Sequence, residues 1–312
     1  MFLSWISYHG RSQELAERLG IEAEFLEPAD TQGNLLRRYS SAIRWTVGKL
    51  RESDSASIYL MMPPAPALLT VLMFKGRKRQ LVADLHTGFF LDPKWKWFTP
   101  IGLRLLRNST AIVTNEPLRQ RCEKAGVRSV VLHDILADRS KARRSAAEPT
   151  TNIVLCPLSY ASDEPIDELL EAARLCPELT FAFTGRAPQK IKDRAPNNIE
   201  FTGFLETEEY LDLLGSSIAV VALTTRDFTM QRAGYEALMY GKPQVTSDFG
   251  VLREFLGEAA HYVDPMQSEE IANALRTVSQ DSAAQMRVAT GVLNDRIREQ
   301  SRSIDELKSV TC

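Results

Sequence analysis

Residues 224–250, TTRDFTMQRAGYEALMYGKPQVTSDFG, hold the side chains of this chain that are best suited to chemistry. At helical spacing Thr229, Arg232 and Glu236 share one face and form a polar stripe on an otherwise apolar helix. An arginine binds phosphate oxygens, and a carboxylate accepts hydrogen bonds from sugar or ribose hydroxyls. This pattern suits the binding of a nucleotide sugar. An i,i+4 ion pair between Arg232 and Glu236 on a solvated face fits the spacing equally well.

The start of the same helix is a second candidate for anion binding. If Asp227 or Thr229 caps the helix, its first backbone N–H groups lie at Thr229, Met230 and Gln231. Such groups, together with the helix dipole, favour a diphosphate. We therefore predict Thr229, Met230 and Gln231 as donor-binding residues.

A framework of alternating strands and helices must position these residues. In the first half, strand-like runs such as SIYLMM and QLVADLH alternate with amphipathic runs such as residues 34–52. The pattern restarts with NIVLCP at residue 152 and continues into a helical tail from Ser268. This order predicts an α/β fold with two Rossmann-like domains that face a central cleft, where ligands bind at the carboxyl ends of the strands.

The domain boundaries follow from the composition of the connecting segment. Residues 137–150, ADRSKARRSAAEPT, are polar and lack apolar periodicity, so we place the interdomain linker there. The expected N-terminal domain spans 1–140, and the expected C-terminal domain spans 150–290. We expect the C-terminal helix at 291–312 to pack back towards the N-terminal domain.

Several kinds of chemistry have no motif in the sequence. No G-x-G-x-x-G follows a strand, and there is no Walker loop, D-x-D pair or G-x-S-x-G elbow. The four cysteines lack metal-ligand spacing and fit reduced thiols in a cytoplasmic protein. We therefore expect no metal and no redox cofactor.

Charge is unevenly distributed along the chain. Residues 1–137 carry 19 Lys and Arg against 13 Asp and Glu, whereas residues 151–312 carry 15 against 25. Within the basic half, KWKWF at 94–98 mixes tryptophan with lysine, and FKGRKR at 74–79 adds further cations. Such mixtures suit an anionic membrane surface, so we predict peripheral association with the inner face of the membrane. The alternative is tryptophans packed under the domain beside solvated lysines. We expect no nucleic-acid partner.

The run YEALMYGKPQVTSDFGVLREF resembles a segment of GT-B glycosyltransferases, especially those of family 4. IDELLEAA, LTFAFTG, NIEFTGFLETEEYLDLL and HYVDP recur there in the same order, so the resemblance covers residues 150–265. It implies a retaining, metal-independent hexosyltransferase-type enzyme. Such an enzyme moves a sugar from a nucleotide sugar to a glycan or lipid-linked saccharide, in surface polysaccharide or glycoconjugate synthesis.

The resemblance also implies roles for residues of the C-terminal half. In that family the glutamate equivalent to Glu236 binds the ribose. The loop equivalent to Ser247, Asp248, Phe249 and Gly250 lies over the donor phosphates and sugar. A segment equivalent to Gly203, Phe204 and Leu205 lies against the nucleotide base.

Two departures from the family pattern concern the donor sugar and the diphosphate. The family has a second glutamate where this chain has Phe228, and Asp227 beside it is the candidate substitute, so we predict Asp227 and Arg232 as catalytic residues. The loop LSYASDEPID lacks the family's diphosphate-binding Arg and Lys. We expect Arg232, Arg226 and Arg186, which follows Gly185, to supply the cations instead.

The N-terminal half offers candidates in two loops. His86 follows the strand QLVADLH, and related transferases often place at this point a histidine that contacts the donor sugar, so we predict it as catalytic. A structural histidine is the alternative, and Asp84 either orients the imidazole or only ends the strand. The turn after the first strand would face the acceptor, and its candidate residues are Tyr8, His9, Gly10 and Arg11.

Two other functions remain open on this architecture. One is a nucleotide-sugar 2-epimerase, which needs more carboxylates and histidines in the cleft than this chain offers. The other is a non-catalytic GT-B-like binding protein.

Overall fold

A computed structural model describes residues 1–27, 34–137, 139, 152–280 and 282–310. The chain divides into two compact units, the first formed by residues 1–135 and 299–312 and the second by residues 136–298. Most of the predicted linker at 137–150 lies outside the described residues.

The first unit is built from six short strands and the helices between them. The strands are β1 (Phe2–Ser4), β2 (Ala23–Phe25), β3 (Ser57–Met62), β4 (Gln80–Leu85), β5 (Thr110–Val113) and β6 (Arg128–Val131). The helices are α1 (Gly10–Leu19), α2 (Leu35–Glu52), α3 (Ala65–Phe74), α4 (Thr87–Leu91), α5 (Thr99–Leu105) and α6 (Glu116–Lys124).

All six strands pair in parallel in the order β2-β1-β3-β4-β5-β6. The chain starts at β1, steps to β2 on one side, and then winds away on the other side from β3 to β6. The winding therefore reverses between β1 and β3. Both faces of the sheet are covered, which explains why β1, β4 and β5 read as nearly continuous apolar runs.

Local sequence signals set the ends of these helices. α1 ends at Gly20, whose left-handed φ of 70° lets its N–H group reach the last turn. The Asn34 side chain caps α2 by accepting from the N–H group of Arg37. Each end thus satisfies backbone groups that the helix cannot pair itself.

The second unit repeats the same plan. Its strands are β7 (Ile153–Cys156), β8 (Thr180–Thr184), β9 (Ile199–Gly203), β10 (Ala219–Ala222), β11 (Gln244–Ser247) and β12 (Ala260–Val263). Its helices are α7 (Ile166–Leu175), α8 (Gln189–Lys192), α9 (Thr207–Ser216), α10 (Arg232–Met239), α11 (Gly250–Leu256) and α12 (Ser268–Gln280). A single 3₁₀ turn at Gly257–Ala259 joins α11 to β12.

The last helix, α13 (Ser282–Ser309), starts in the second unit and ends in the first. In the first unit its Ile304 and Leu307 are buried with Phe2 and Leu15.

The second sheet is also parallel, in the order β12-β11-β10-β7-β8-β9. α7 and α12 pack on one face of it, while α9 and α10 pack on the other through Leu214, Ala233 and Ala237. The predicted α/β class with two Rossmann-like domains is therefore confirmed. No helix of the described residues combines the length and apolar character that crossing a bilayer requires.

Candidate functional site

The winding of the second sheet reverses between β7 and β10, because the chain runs from β7 to β9 and then crosses back. Open parallel sheets bind ligands at such a reversal, beyond the carboxyl ends of the strands. Most residues predicted in the second half follow a strand end, namely the ends of β8, β9, β10 and β11. We call this row of strand ends, with the loops that follow it, the second-sheet edge.

The helix predicted to begin at Thr229 begins three residues later. α10 starts at Arg232 with Gln231 as its N-cap, so Thr229 and Met230 precede the helix. The prediction that Thr229, Met230 and Gln231 supply the first helical N–H groups is therefore wrong. The Asp227 carboxylate does not cap α10 but accepts from the N–H group of the next residue, at 2.6 Å, and thereby holds a turn before the helix. The first N–H groups of α10 belong to Arg232 and Ala233, because the N–H group of Gly234 already donates to the carbonyl oxygen of Gln231 at 3.0 Å.

Phe228 lies in that turn with a φ of 60°, one of two non-glycine residues with positive φ among the described residues. This conformation costs a bulky residue on the order of 1–2 kcal/mol. The other such residue, Tyr160, follows β7 at the same reversal of the sheet. Backbone strain of this kind is concentrated at functional sites.

Glu236 is held by two neighbours rather than by one. The Tyr210 hydroxyl donates to its Oε2 at 2.6 Å, and Arg232 Nε donates to its Oε1 at 3.1 Å. Its side chain is only 19% exposed, so the ion pair is not on a fully solvated face. The structure thus contains the i,i+4 pair but places it at the second-sheet edge. Because a carboxylate has about four lone-pair sites, Glu236 keeps acceptor capacity for a ligand.

Tyr210 is the residue of this group that sequence reasoning missed. It lies on α9, and burial, followed by the charge of Glu236, raises the pKa of its hydroxyl well above the ordinary value. The hydroxyl therefore stays a donor and fixes the carboxylate. The only sequence feature that pointed to Tyr210 was its position on the apolar face of TEEYLDLL. Nothing in the sequence placed that face next to α10.

Ser247 at the end of β11 does not present its hydroxyl to a ligand. It is fully buried, donates to the carbonyl oxygen of Thr224 at 2.7 Å and accepts from the Thr224 N–H group at 2.9 Å. Its side chain therefore ties the end of β11 to the end of β10. Asp248 forms an ion pair with Arg253, which lowers the pKa of the carboxyl group. Phe249 is the N-cap of α11, and Gly250 begins that helix.

The predicted cations at this edge differ in their partners. Arg226 lies 3.6 Å from the carboxylate of Asp163, and Arg232 pairs with Glu236. Arg186 is exposed after β8, and its side chain has no hydrogen bond or ion pair with the described residues. Arg186 is thus the cation with the fewest competing contacts for a diphosphate.

Gly185, just before Arg186, is required by close packing. Its φ is 81°, and a Cβ atom there would lie 2.1 Å from the carbonyl oxygen of Leu158. The loop after β7 therefore passes directly over the end of β8.

That loop, at 158–164, holds its own carboxylate. Glu164 accepts from the N–H groups of Ser159 and Ala161 at 3.0–3.2 Å and from the Ser159 hydroxyl at 2.9 Å. Backbone donors that converge in this way form a seat for an anion. This loop lacks Arg and Lys, and its backbone donors bind the carboxylate of Glu164 instead of an anionic group of a ligand.

The segment after β9 exposes an aromatic ring. Gly203 has a φ of 73°, and the next residue, Phe204, is 72% exposed. Leu205 is half-buried beside it. An exposed ring at a strand end suits stacking against a flat ligand.

In the first unit His86 follows β4 and is the N-cap of α4. Its Nε2 lies 3.0 Å from Oδ2 of Asp84, so Asp84 orients the imidazole as well as ending the strand. Asp84 is 1% exposed and also accepts two hydrogen bonds from Arg11, at 3.0 and 3.2 Å. Burial alone would raise the pKa of Asp84, but Arg11 and His86 outweigh it and hold the pKa well below the usual range.

The acceptor-side candidates do not all face solvent. Arg11 is buried and bonded to Asp84, Asp134 and the carbonyl oxygen of Leu132. Its guanidinium therefore neutralises carboxylates inside the unit and is not presented to an acceptor. Gly10 begins α1, and Tyr8 is exposed.

His9 caps α1 and meets His86, with ring centroids 4.9 Å apart. Burial, with the neighbouring His86 next, lowers the pKa of His9 to about 4. His9 is therefore neutral at pH 7 and packs its ring against the imidazole that Asp84 orients.

Residues 152–281 match the family model described as "Glycosyl transferases group 1". The matched stretch covers most of the second unit, which therefore resembles the group 1 glycosyl transferases. The enzyme class predicted from the sequence, a glycosyltransferase, is thereby confirmed, whereas its assignment to family 4 stays a prediction. A sequence search of curated proteins returns no match.

Solved structures of the same fold cover nearly the whole chain. HepE of Anabaena in complex with UDP-glucose is 20% identical with a TM-score of 0.70, over 98% of this chain and 91% of that one. Sucrose-phosphate synthase from Thermosynechococcus elongatus is 14% identical with a TM-score of 0.71, over 99% and 98%. An α,α-trehalose-phosphate synthase (UDP-forming) from Burkholderia vietnamiensis is 10% identical with a TM-score of 0.72, over 99% and 98%. At these identities the likeness shows the GT-B fold.

Proposed function

We propose that the protein transfers a sugar from a UDP-sugar to a glycan or lipid-linked saccharide, with retention of anomeric configuration, in surface polysaccharide or glycoconjugate synthesis. The observation that carries the proposal is Glu236, held by Tyr210 and Arg232 within the stretch that matches the group 1 glycosyl transferases. HepE, which shares the fold, has been solved with UDP and with UDP-glucose.

The ribose, the base and the diphosphate of the donor would each meet a group at the second-sheet edge. Glu236 would accept from the ribose hydroxyls, since Tyr210 and Arg232 fix its orientation. The exposed ring of Phe204 would stack on the base. Arg186 and Arg226, with the N–H groups at the start of α10, would neutralise the diphosphate.

Catalysis in this proposal is positioning together with charge stabilisation of the departing UDP. The cations would be arginines, so we propose a metal-independent reaction. The described residues include no cluster of three or more His, Cys, Asp or Glu suited to a metal ion. Turnover that survives EDTA and is not raised by added Mg²⁺ or Mn²⁺ would support this, and strict dependence on a metal would contradict it.

In the first unit we propose that His86 contacts the donor sugar. Its ring is held by Asp84 on one side and lies against His9, so its orientation is set before a ligand arrives. Replacement of His86 by Ala should lower kcat with little change in UDP affinity, because UDP itself lacks the sugar. An equal loss of UDP affinity would contradict this role.

The decisive test is calorimetric titration of the full chain with UDP, GDP and ADP. Wild-type protein should bind UDP best, and Glu236→Ala should weaken UDP binding by about 10- to 100-fold, as expected for loss of hydrogen bonds to a charged group. The matched control is Glu171→Ala, because Glu171 also pairs with an arginine, Arg174, at 2.8 Å but lies on α7, away from the edge. Absence of UDP binding by the wild type, or equal effects of both variants, would overturn the proposal.

A non-catalytic binding protein is the alternative that specific observations favour. Phe228 replaces the family's glutamate, and the carboxylate of Glu164 occupies the seat formed by the loop after β7. A panel of UDP-sugars with UDP release as the readout separates the two functions. UDP binding without release from any sugar, in the presence of acceptors, would favour this alternative, and a new nucleotide sugar formed without acceptor would indicate an epimerase.

We further propose that the protein works in the cytoplasm, at the inner face of the membrane. Large apolar side chains project from α2, from α3 and from the segment before α5: Leu36 is 83% exposed, Met73 76% and Trp97 62%. Arg37, Lys75 and Lys96 lie close to them in sequence. Apolar side chains interleaved with cations suit an anionic lipid surface.

Flotation with liposomes tests the membrane proposal. The protein should float with vesicles that contain anionic phospholipid at low salt, and less so at high salt because exposed charges are screened. A Leu36→Ser, Trp97→Ser double variant should float less, while keeping its UDP affinity. A wild-type protein that stays at the bottom of the gradient at low salt would overturn the proposal.

A further inference from the structure

A pocket lies where the winding of the first sheet reverses. None of the residues predicted to bind the donor lines it. Its walls come from the residues that follow β1, β2 and β3, from the first turns of α2, and from residues 94–95. The carboxyl ends of parallel strands beside such a reversal are where open sheets bind ligands. We call it the switch pocket, and its volume is about 220 Å³.

Three aromatic side chains line the switch pocket and are held by their neighbours. Trp5 is buried, and its indole N–H group donates to the Thr46 hydroxyl at 2.8 Å. The Trp5 and Tyr39 rings lie 6.2 Å apart, and Trp95 packs against the same core. These walls are thus already in place before a ligand binds, as in most small-molecule sites.

The two charged residues among the described residues that line the pocket are both basic. Arg38 and Lys94 belong to the lining, and none of the described lining residues is an Asp or a Glu. The Arg38 guanidinium forms no hydrogen bond or ion pair with the described residues, and the Lys94 ammonium lies 5.1 Å from the centre of the Trp95 ring. Two cations in the same lining favour a dianion in the pocket.

Size limits what the pocket takes. A volume of 220 Å³ is below the roughly 300–1,000 Å³ typical of sites for drug-sized ligands. The pocket therefore suits one end of a larger molecule. Aromatic walls suit an apolar chain or the flat face of a sugar ring, and the two cations suit a phosphate.

We propose that the switch pocket binds the phosphate-bearing end of the acceptor, with the phosphate on Arg38 and Lys94 and the adjoining apolar or pyranose group on Trp5, Tyr39 and Trp95. The proposal rests on the transferase function proposed above and names its acceptor class. A phosphate of this kind is found in lipid phosphates and in soluble sugar phosphates.

Binding to the full chain tests the proposal with two probes, farnesyl phosphate below its micellar concentration and glucose 6-phosphate. Titrations at about pH 8 keep both phosphates dianionic. All four tryptophans belong to the first unit, and two of them line the pocket, so their fluorescence reports binding there. At least one probe should bind, while farnesol and glucose, which lack the phosphate, should bind much more weakly.

Matched charge reversals locate the site. Arg38→Glu and Lys94→Glu should each weaken probe binding by about tenfold or more. Arg37→Glu and Lys96→Glu are the controls, because these cations neighbour the pocket residues in sequence but do not line the pocket. All four variants should keep wild-type circular dichroism and UDP affinity.

The outcomes separate this proposal from the transferase function. Binding of farnesyl phosphate alone identifies a lipid-linked source, and binding of glucose 6-phosphate alone identifies a soluble one. Absence of binding by both probes, equal binding of the phosphate-free analogues, or equal effects of Arg38→Glu and Arg37→Glu overturns the proposal. A protein that binds a probe through Arg38 but fails to bind UDP retains the pocket and loses the transferase function.

Discussion

The carboxyl edges of the two sheets are alike in topology and different in chemistry. Each belongs to a six-stranded parallel sheet and lies beside a reversal of winding. At the first edge Asp84 and Arg11 are buried against each other. At the second edge Glu236 and Arg232 form a pair that stays partly exposed. The fold therefore decides where polar groups gather, and the depth of burial decides whether they stabilise the unit or remain available to a ligand.

Loss of the buried carboxylate should give the largest effect. Asp84→Ala leaves the Arg11 guanidinium buried beside only one other carboxylate, and loss of one partner from a buried pair costs about 3–5 kcal/mol. Urea unfolding followed by tryptophan fluorescence measures this cost, since all four tryptophans belong to the first unit. Asp248→Ala, which removes an exposed ion pair from the second unit, should leave that transition unchanged. Equal stability of wild type and Asp84→Ala would remove the proposed difference between the edges.

Close packing at the second edge should give the next largest effect. Gly185→Ala combines a left-handed backbone with a contact of 2.1 Å to Leu158, so we expect a destabilisation of about 3 kcal/mol. Gly203→Ala is the control, because its φ of 73° is similar but open space surrounds it, and it should cost about 1 kcal/mol. The loss of stability should appear in unfolding followed by circular dichroism. It should not appear in unfolding followed by tryptophan fluorescence, because the tryptophans lie in the first unit. If both variants lost the same free energy of unfolding, the loop after β7 would have moved to make room for the added methyl group.

The hydroxyl that holds Glu236 should have a smaller effect, on binding rather than stability. Tyr210→Phe removes the donor to Oε2 and leaves Arg232 to orient the carboxylate, so UDP affinity should fall by about three- to tenfold. Tyr262→Phe removes another tyrosine hydroxyl of the second unit, one that donates to Gly257, and should leave UDP affinity unchanged. Unchanged affinity in Tyr210→Phe would mean that Glu236 needs no such support.

The last comparison concerns the pH dependence of the first unit. Because the pKa of His9 is lowered to about 4, the unfolded chain takes up a proton below about pH 6.5 that the folded chain does not bind. The free energy of unfolding therefore falls as the pH is lowered from about 6.5 to about 4. His9→Asn keeps a capping side chain and should flatten this slope in the tryptophan transition. An equally steep slope in the variant would assign the titration to another group.

Much of the fold could be predicted from the sequence, because apolar periodicity reports local structure. SIYLMM and QLVADLH, for example, coincide with β3 and β4 to within one residue. The start of α10 could not be placed, since an Asp or a Thr before a helix is an equally good cap by sequence. The Asp227 carboxylate is bonded instead to the next backbone N–H group.

The site was predictable in type and less so in its contacts. Arg232 and Glu236 could be paired from their spacing, because i and i+4 are neighbours on any helix. The burial of Arg11 and the occupied hydroxyl of Ser247 depend on residues 73 and 23 positions away, respectively, and no local pattern carries that information. The switch pocket was not predicted, since its walls come from segments separated by up to about 90 residues.

The sequence by itself determined the order of strands and helices, the two-domain α/β class and the resemblance around Glu236, because each of these follows from local periodicity or from a contiguous motif. Only the tertiary structure decided that Tyr210 holds Glu236, that Glu164 fills the loop after β7, and that Trp5, Tyr39 and Trp95 line one pocket. The physical reason is that parallel strands distant in sequence end side by side. Which side chains meet at such an edge is set by sheet order and loop conformation, which follow from the packing of the whole unit.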